Sequence, residues 1–342
     1  MTPPFAVAHV VAQGEPYDIG FAHGTALKER LRAFLDDGVA RLNHLLPATV
    51  SVAGLSGTIA AHRAEITRST PRLADEITGL AAGAGLTPDE ATLLQLRREI
   101  MGYRQIPTRG DCTTYARPGL LAQTVDLNGN LDDQIAVLDV GHADRGALVL
   151  SFAGLLGYLG VNRHGLAVGL NLVLGGRWRP GVPPYLAIRH LLDTATSVES
   201  AVELLRSLPF ASSRTIVLAD AAETACVEVI GDEYRVMTAQ ESVHTNHFLA
   251  PDFTTRDELN VFARNSSLRR LRAAEAGLLT LPTDADPDEH FALLSQPPIR
   301  VADDGDIRRE RTVAAVVLDT KNRTLHLRPG DPRLSTTRSF TL

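Results

Sequence analysis

From Ile19 to Leu46 apolar residues recur at helical spacing, and the stretches 56–69 and 72–82 continue in the same style after a short apolar strand at 5–13. Helices therefore dominate the first hundred residues. Thr87, Pro88 and Glu90 place Thr at N-cap, Pro at N1 and Glu at N3, a capping box that predicts a helix through "ATLLQLRREIMG" ending near Gly102. From Cys112 onward the period changes. "LLAQTVDL", "QIAVLDVGH", "ALVLSFAG", "LGYLGVN" and "LAVGLNLVL" read as strands broken by turn residues. Helical patterns return at 184–208, strands at 214–248, helices at 261–279 and 287–295, and a last hairpin at 312–328 turns at "DTKNR". Clustered strands and clustered helices, without βαβ alternation, argue against a doubly wound parallel sheet. An α+β architecture is expected, with two antiparallel sheets flanked by helices and a mostly helical N-terminal segment. The Gly- and Pro-rich loop "GGRWRPGVPP" is long enough to border a pocket.

Composition narrows the function. At 342 residues and 44% apolar content the chain can bury a sizeable core. Its formal net charge of −6, with no basic block, carries no electrostatic footprint for nucleic acid or an anionic membrane, so small uncharged or amphoteric partners are expected. The N-terminus lacks a basic n-region and its apolar run is short, so neither a signal peptide nor a membrane span is expected and the reading is cytoplasmic. Two cysteines, Cys112 and Cys226, make no disulfide framework and no CxxC pair. Cys226, in "ETACVEVIG", reads as a buried strand residue. Lysine occurs only at Lys28 and Lys321, which leaves Schiff-base chemistry poorly supplied. The acid cluster "VADDGDIRRE" reads as a solvated loop, and no cofactor is called for.

Cys112 stands out because it opens the strand region, in "RGDCTTYARPG". A free thiol has a pKa of about 8.5 and is only slightly ionised at neutral pH, so a nucleophilic cysteine needs a base. A nucleophile at the first position of a mature chain can use its own α-amine, whose pKa of about 7.7 to 8.0 suits the task. Exposing that amine requires cutting before Cys112. The thiol can attack the preceding carbonyl, shift the acyl group from nitrogen to sulfur, and leave a thioester for water. Residues 103–111 form the connection in which this peptide bond sits, Asp111 is its acyl side, and Thr113 and Thr114 offer hydroxyls beside the thiol.

Five ordered segments resemble the acyl-coenzyme A:isopenicillin N acyltransferase family of N-terminal nucleophile hydrolases. They are "GEPYDIGFAHG" (14–24), "CTT" (112–114), "GLLGYLGVNRHGLAVGLN" (154–171), "HTNHF" (244–248) and "VVLDTKNRTLHLRPGDP" (316–332). The resemblance implies a four-layer αββα sandwich. It also implies self-cleavage between Asp111 and Cys112 into an α fragment, 1–111, and a β fragment, 112–342, that stay associated as one structural unit. Cys112 would be the nucleophile, Asn246 the oxyanion donor, and Asp126 a residue orienting the new amine and substrate. An arginine from the C-terminal third, best matched by Arg300 in "PPIR", would bind a substrate carboxylate. The expected partners are a small acyl donor, for which an acyl-coenzyme A thioester is one option, and an amine or water acceptor.

Two positions depart from the pattern. Asp111 replaces the glycine expected before the cysteine, and Leu127 replaces an aromatic residue, so "DLNGN" lacks the rings of an aromatic acyl pocket. Two other readings remain open at this stage. One is a binding protein that keeps the sandwich without chemistry; the other is a metal-dependent hydrolase using His244 and His247 at i, i+3.

Overall fold

The structure, a computed structural model, describes residues 7–103 and 112–342. In chain order it begins with β1 (Ala8–Gln13), α1 (Pro16–Asp36), α2 (Leu42–Leu45), α3 (Ser56–Ser69), α4 (Pro71–Ala84) and α5 (Pro88–Met101). The strand region comprises β2 (Thr113–Arg117), β3 (Leu120–Leu127), β4 (Ile135–His142), β5 (Arg145–Phe152), β6 (Leu159–Asn162) and β7 (Ala167–Leu172). Next come α6 (Pro184–Thr194), α7 (Val198–Arg206), β8 (Arg214–Ala219), β9 (Thr224–Ile230), β10 (Glu233–Ala239) and β11 (Ser242–His244). The last elements are α8 (Pro251–Thr254), α9 (Val261–Thr280), α10 (Pro287–Leu294), β12 (Arg311–Asp319), β13 (Thr324–Pro329) and β14 (Arg338–Thr341).

One sheet has the order β1-β4-β5-β6-β7-β8-β9-β10 and the other β11-β2-β3-β12-β13-β14. Helices α6 and α7 cover the first sheet, α9 and α10 cover the second, and β2 and β3 face β7 and β8 across the interior. The layers thus run helix, sheet, sheet, helix. Strands β5, β7, β8 and β9 are buried on both faces along nearly all their length, which is why they read as nearly continuous apolar runs. Gln123 staples the two sheets: its Nε2 donates to the Leu170 carbonyl at 2.9 Å and its Oε1 accepts from the Leu170 N–H at 3.1 Å.

The expected capping box is present. The Glu90 N–H donates to Thr87 Oγ1 at 3.2 Å and the Thr87 N–H to Glu90 Oε2 at 2.7 Å, and α5 ends at Met101 with Gly102 at φ +59°. Other expectations need correction. Helix α1 stops at Asp36, because Gly38, Val39, Ala40 and Arg41 all take positive φ. That left-handed turn is held from outside: Arg97 Nε donates to the Ala40 carbonyl at 2.8 Å, and Arg41 donates to the Gly129 carbonyl at 2.9 Å. The ladders are antiparallel except β1, which pairs parallel with β4. Strand β14 extends the closing hairpin beyond the predicted pair.

Helices α1 and α4 cross unusually closely through glycines four apart on each, Gly20 and Gly24 against Gly79 and Gly83. A Cβ on Gly20 would lie 1.9 Å from the Glu76 carbonyl oxygen, and one on Gly79 would lie 2.0 Å from that of Tyr17. The main core cluster runs continuously from α1, α4 and α5 into β4, β5 and β8, so the segments before and after residue 112 share one interior. Among the described residues no helix is long and apolar enough to cross a membrane.

Candidate active site

Cys112 directly precedes β2, which lies between β11 and β3 in its sheet. Pairing Thr113 with Thr124 puts the Thr113 N–H 3.1 Å from Thr124 Oγ1, which fixes the backbone just after the cysteine. Cys112 is 1% exposed to bulk solvent, yet it lines a cavity. Its Sγ lies 3.7 Å from Tyr158 Oη. Helix α5 supplies Leu94, Arg97, Arg98 and Met101 to the same cavity, so both halves of the chain build its wall.

Two side chains converge on the Cys112 carbonyl from separate elements, and a third is tied to one of them. Asn171, on β7, reaches across the interior and donates Nδ2 to the Cys112 carbonyl at 3.1 Å. Arg270, on the face of α9 that packs on β2 and β11, donates Nη1 to the same carbonyl at 2.7 Å and to Thr113 Oγ1 at 3.1 Å. Its Nη2 donates to Asn246 Oδ1 at 2.6 Å. The guanidinium therefore spans Cys112 and Asn246, and Asn246 Nδ2 donates to the Leu172 carbonyl at 3.0 Å. All of these groups are buried, where such bonds are stronger than in water.

The "HTNHF" segment owes its shape to two partners. Glu228 on β9 accepts from His244 Nε2 at 2.9 Å and from the Leu249 and Ala250 N–H groups at 2.6 and 3.1 Å, gripping the turn at both ends. Ser267 Oγ on α9 accepts from the Asn246 N–H at 2.8 Å and lies 2.7 Å from His247 Nδ1. Burial, with the neighbouring His244, lowers the His247 pKa to about 4. The two histidines thus turn to different partners, and among the described residues no three His, Cys, Asp or Glu side chains converge as a metal site.

The remaining sequence candidates fall as follows. Thr113 and Thr114 are buried at the start of β2. Asp126 is buried on β3 and accepts from Thr312 Oγ1 of β12 at 2.6 Å; it is not one of the cavity-lining residues. Asp111 lies outside the described residues. Arg300 pairs with Asp331 at 2.8 Å and is not one of the cavity-lining residues, while the arginine that reaches Asn246 is Arg270. The 175–184 loop backs the cavity rather than lining it, since Trp178 packs against the lining residue Arg214. Cys226 is buried on β9, and burial raises its thiol pKa to about 12. Sequence reading missed Asn171 and Arg270. Asn171 had a signal, a single amide inside the apolar run "LAVGLNLVL"; Arg270, in "NSSLRRLRAAE", had none.

The two stacked sheets between helical layers are the α+β fold of the N-terminal nucleophile hydrolases, and this chain is of an acyltransferase class built on it. Residues 111–334 match the family model for acyl-coenzyme A:6-aminopenicillanic acid acyl-transferase, and the chain belongs to that family. It is 27% identical over 267 residues to the 40 kDa form of acyl-coenzyme A:6-aminopenicillanic-acid-acyltransferase from Emericella nidulans, covering 74% of this chain and 72% of that one. A mutant of the conjugated bile acid hydrolase from Clostridium perfringens aligns with a TM-score of 0.50 at 11% identity, over 68% of this chain and 92% of its own, a likeness of fold.

Proposed function

We propose that the protein is a self-processing cysteine amidohydrolase or acyltransferase acting on amide or thioester bonds of a small acylated amino acid or peptide-like substrate. The observation that carries the reading is the joint placement of Cys112: it directly precedes a strand, it lines a cavity, and its carbonyl is clamped by Asn171 and Arg270. In processing, Sγ attacks the carbonyl carbon of Asp111 and the Cys112 nitrogen leaves as an amine. Water then hydrolyses the thioester, giving the 1–111 and 112–342 fragments. In turnover, the same Sγ attacks the substrate carbonyl while the α-amine takes the thiol proton and returns it to the leaving amine or thiolate. Water or an amine then receives the acyl group.

Asn246 donates to the oxyanion from Nδ2, an atom with two hydrogens of which one goes to Leu172. Removing one such donor typically costs roughly 2.7 to 4 kcal/mol of transition-state stabilisation. Arg270 is a positioning residue, holding Asn246 by its Oδ1 and the nucleophile by its carbonyl. Asp126 orients the new amine from β3. The family name makes an acyl-coenzyme A thioester one candidate donor. Denaturing mass spectrometry tests the core of the reading. Two fragments meeting at Asp111 and Cys112 are expected from the wild type and an intact chain from Cys112→Ala; an intact wild type whose Cys112 resists iodoacetamide would overturn it.

A further inference from the structure

The residue just before β6 is a tyrosine that meets Cys112. Tyr158 lines the same cavity, and its Oη lies 3.7 Å from Cys112 Sγ. Contacts from three directions hold it there. Gln95, buried on α5, donates Nε2 to the Gly154 carbonyl at 2.9 Å and accepts from the Leu156 N–H at 3.0 Å, so it grips the segment leading to Tyr158 as a neighbouring strand would. Arg189 on α6 donates Nη1 to the Leu156 carbonyl at 3.3 Å. Gly157 lets the same helix come close: a Cβ there would lie 2.4 Å from the Tyr185 carbonyl oxygen and 2.9 Å from Arg189 Cβ. The Tyr158 ring stacks on Tyr185 at 5.3 Å between centres and packs edge-to-face with Phe152 at 5.1 Å. With ring and backbone both held, and 3% of the residue exposed, the phenol has little room to swing away from the sulfur.

An ionised sulfur in a buried wall is costly unless a donor faces it, and the side chains of Phe152, Leu170 and Leu172, which share the cavity, have none to offer. A phenol has one hydrogen to give and still accepts at its oxygen, so donating to sulfur is compatible with further partners there. We infer that Tyr158 is a catalytic residue whose hydroxyl donates to Cys112 Sγ and stabilises the thiolate that attacks the acyl group. The inference rests on the reading of Cys112 as the nucleophile and gives that nucleophile a second assistant. The two assistants have separate tasks. The α-amine takes the thiol proton, whereas the phenol keeps its own and points it at a sulfur lone pair, so no atom passes to or from Tyr158. When the acyl-enzyme breaks down, the sulfur leaves as a thiolate and meets the same donor. Hydrogen bonds of this kind are often long in a resting site and tighten as charge develops.

The test is the pH dependence of the reaction of Cys112 with dithiodipyridine, a neutral disulfide, followed on processed protein by the mass of the peptide that begins at Cys112. Tyr158→Phe keeps the stacked ring and removes only the hydroxyl. Losing the donor should raise the midpoint of the profile by about one unit. A less stabilised thiolate is also the better nucleophile, with a Brønsted slope of about 0.4 to 0.5. Well below the midpoint the variant should therefore react about threefold slower than wild type, and well above it about threefold faster. The crossing is diagnostic, because a general loosening of the site would move the rate the same way at every pH. Arg97, Arg98, Arg214, Arg270 and Tyr185 are the same in both proteins and drop out of the comparison. Superimposable profiles, or a variant slower at every pH, would overturn the inference. para-Aminophenylalanine at position 158, whose N–H still donates, should restore part of the shift. Should Tyr158→Phe fail to fold, this variant decides alone: its weaker donor should still raise the midpoint, and a midpoint at the wild-type value would overturn the inference. A wild type that stays uncleaved, or whose Cys112 does not react, would instead overturn the reading of Cys112 as nucleophile, and the role of Tyr158 with it.

Discussion

Replacing Arg270 with methionine keeps much of the side chain's length and volume and removes its hydrogen bonds to the Cys112 carbonyl, Thr113 Oγ1 and Asn246 Oδ1. The Cys112 carbonyl keeps Asn171, so the main catalytic loss falls on Asn246, whose amide is no longer held by its oxygen. A hydrogen bond to a charged donor contributes about 1.5 to 3 kcal/mol. If about 2 kcal/mol of that is felt at the oxyanion, acylation slows roughly thirtyfold, at 1.36 kcal/mol per decade. The assay is pre-steady-state release of nitrophenolate from p-nitrophenyl butyrate by processed protein, normalised to the cleaved fraction, with urea unfolding run alongside. Asn246→Ala and the double variant complete a cycle. Because Arg270 acts through Asn246, the double variant should be little worse than Asn246→Ala alone, a coupling of about 1 to 3 kcal/mol. Acylation by Arg270→Met within about threefold of wild type, or effects that simply add in the double variant, would refute the reasoning.

Three further outcomes follow from features away from the cysteine. His23 is fully buried with neither ring nitrogen bonded, and burial, helped by Arg189, lowers its pKa from 6.5 to about 3. Its folded pKa lies below its unfolded value, so stability present above pH 6.5 is lost as pH falls towards 3. By urea midpoint, His23→Leu should lose about 2 kcal/mol less than wild type between pH 7 and pH 5. Gly79→Ala puts a methyl 2.0 Å from the Tyr17 carbonyl oxygen, a clash between two backbones that should cost about 3 kcal/mol or more in chemical denaturation. Thr87→Ala removes one bond of the α5 capping box and should cost about 1 kcal/mol by the same measurement.

Local signals were legible and distant ones were not. Thr87 and Glu90 announce the start of α5 because the whole capping box lies within one turn, and "DTKNR" announces the β12–β13 hairpin because its turn is equally local. The switch of period at Cys112 correctly marks where β2 begins. By contrast, nothing beside Ala40 in sequence says that Arg97 will take its carbonyl and let the chain wind left-handed after α1. Arg270 looks like one more charge on a solvated helix, and only the packing of α9 on β2 and β11 turns it inward. Arg300 has the more suggestive context, yet Asp331, far along the chain, claims it. Arg98 has the same problem in reverse: a basic residue in a helix's last turn normally answers its dipole, and here it is walled in.

The parallel pairing of β1 with β4 laces the earliest described strand of the chain into a sheet made otherwise of strands from beyond residue 112. A nick ahead of Cys112 would therefore cross a seam already sewn shut by a strand ladder and by a common apolar interior. The two pieces should behave on dilution as one body, parting only when the whole interior melts, and the nick would free only the ends it makes.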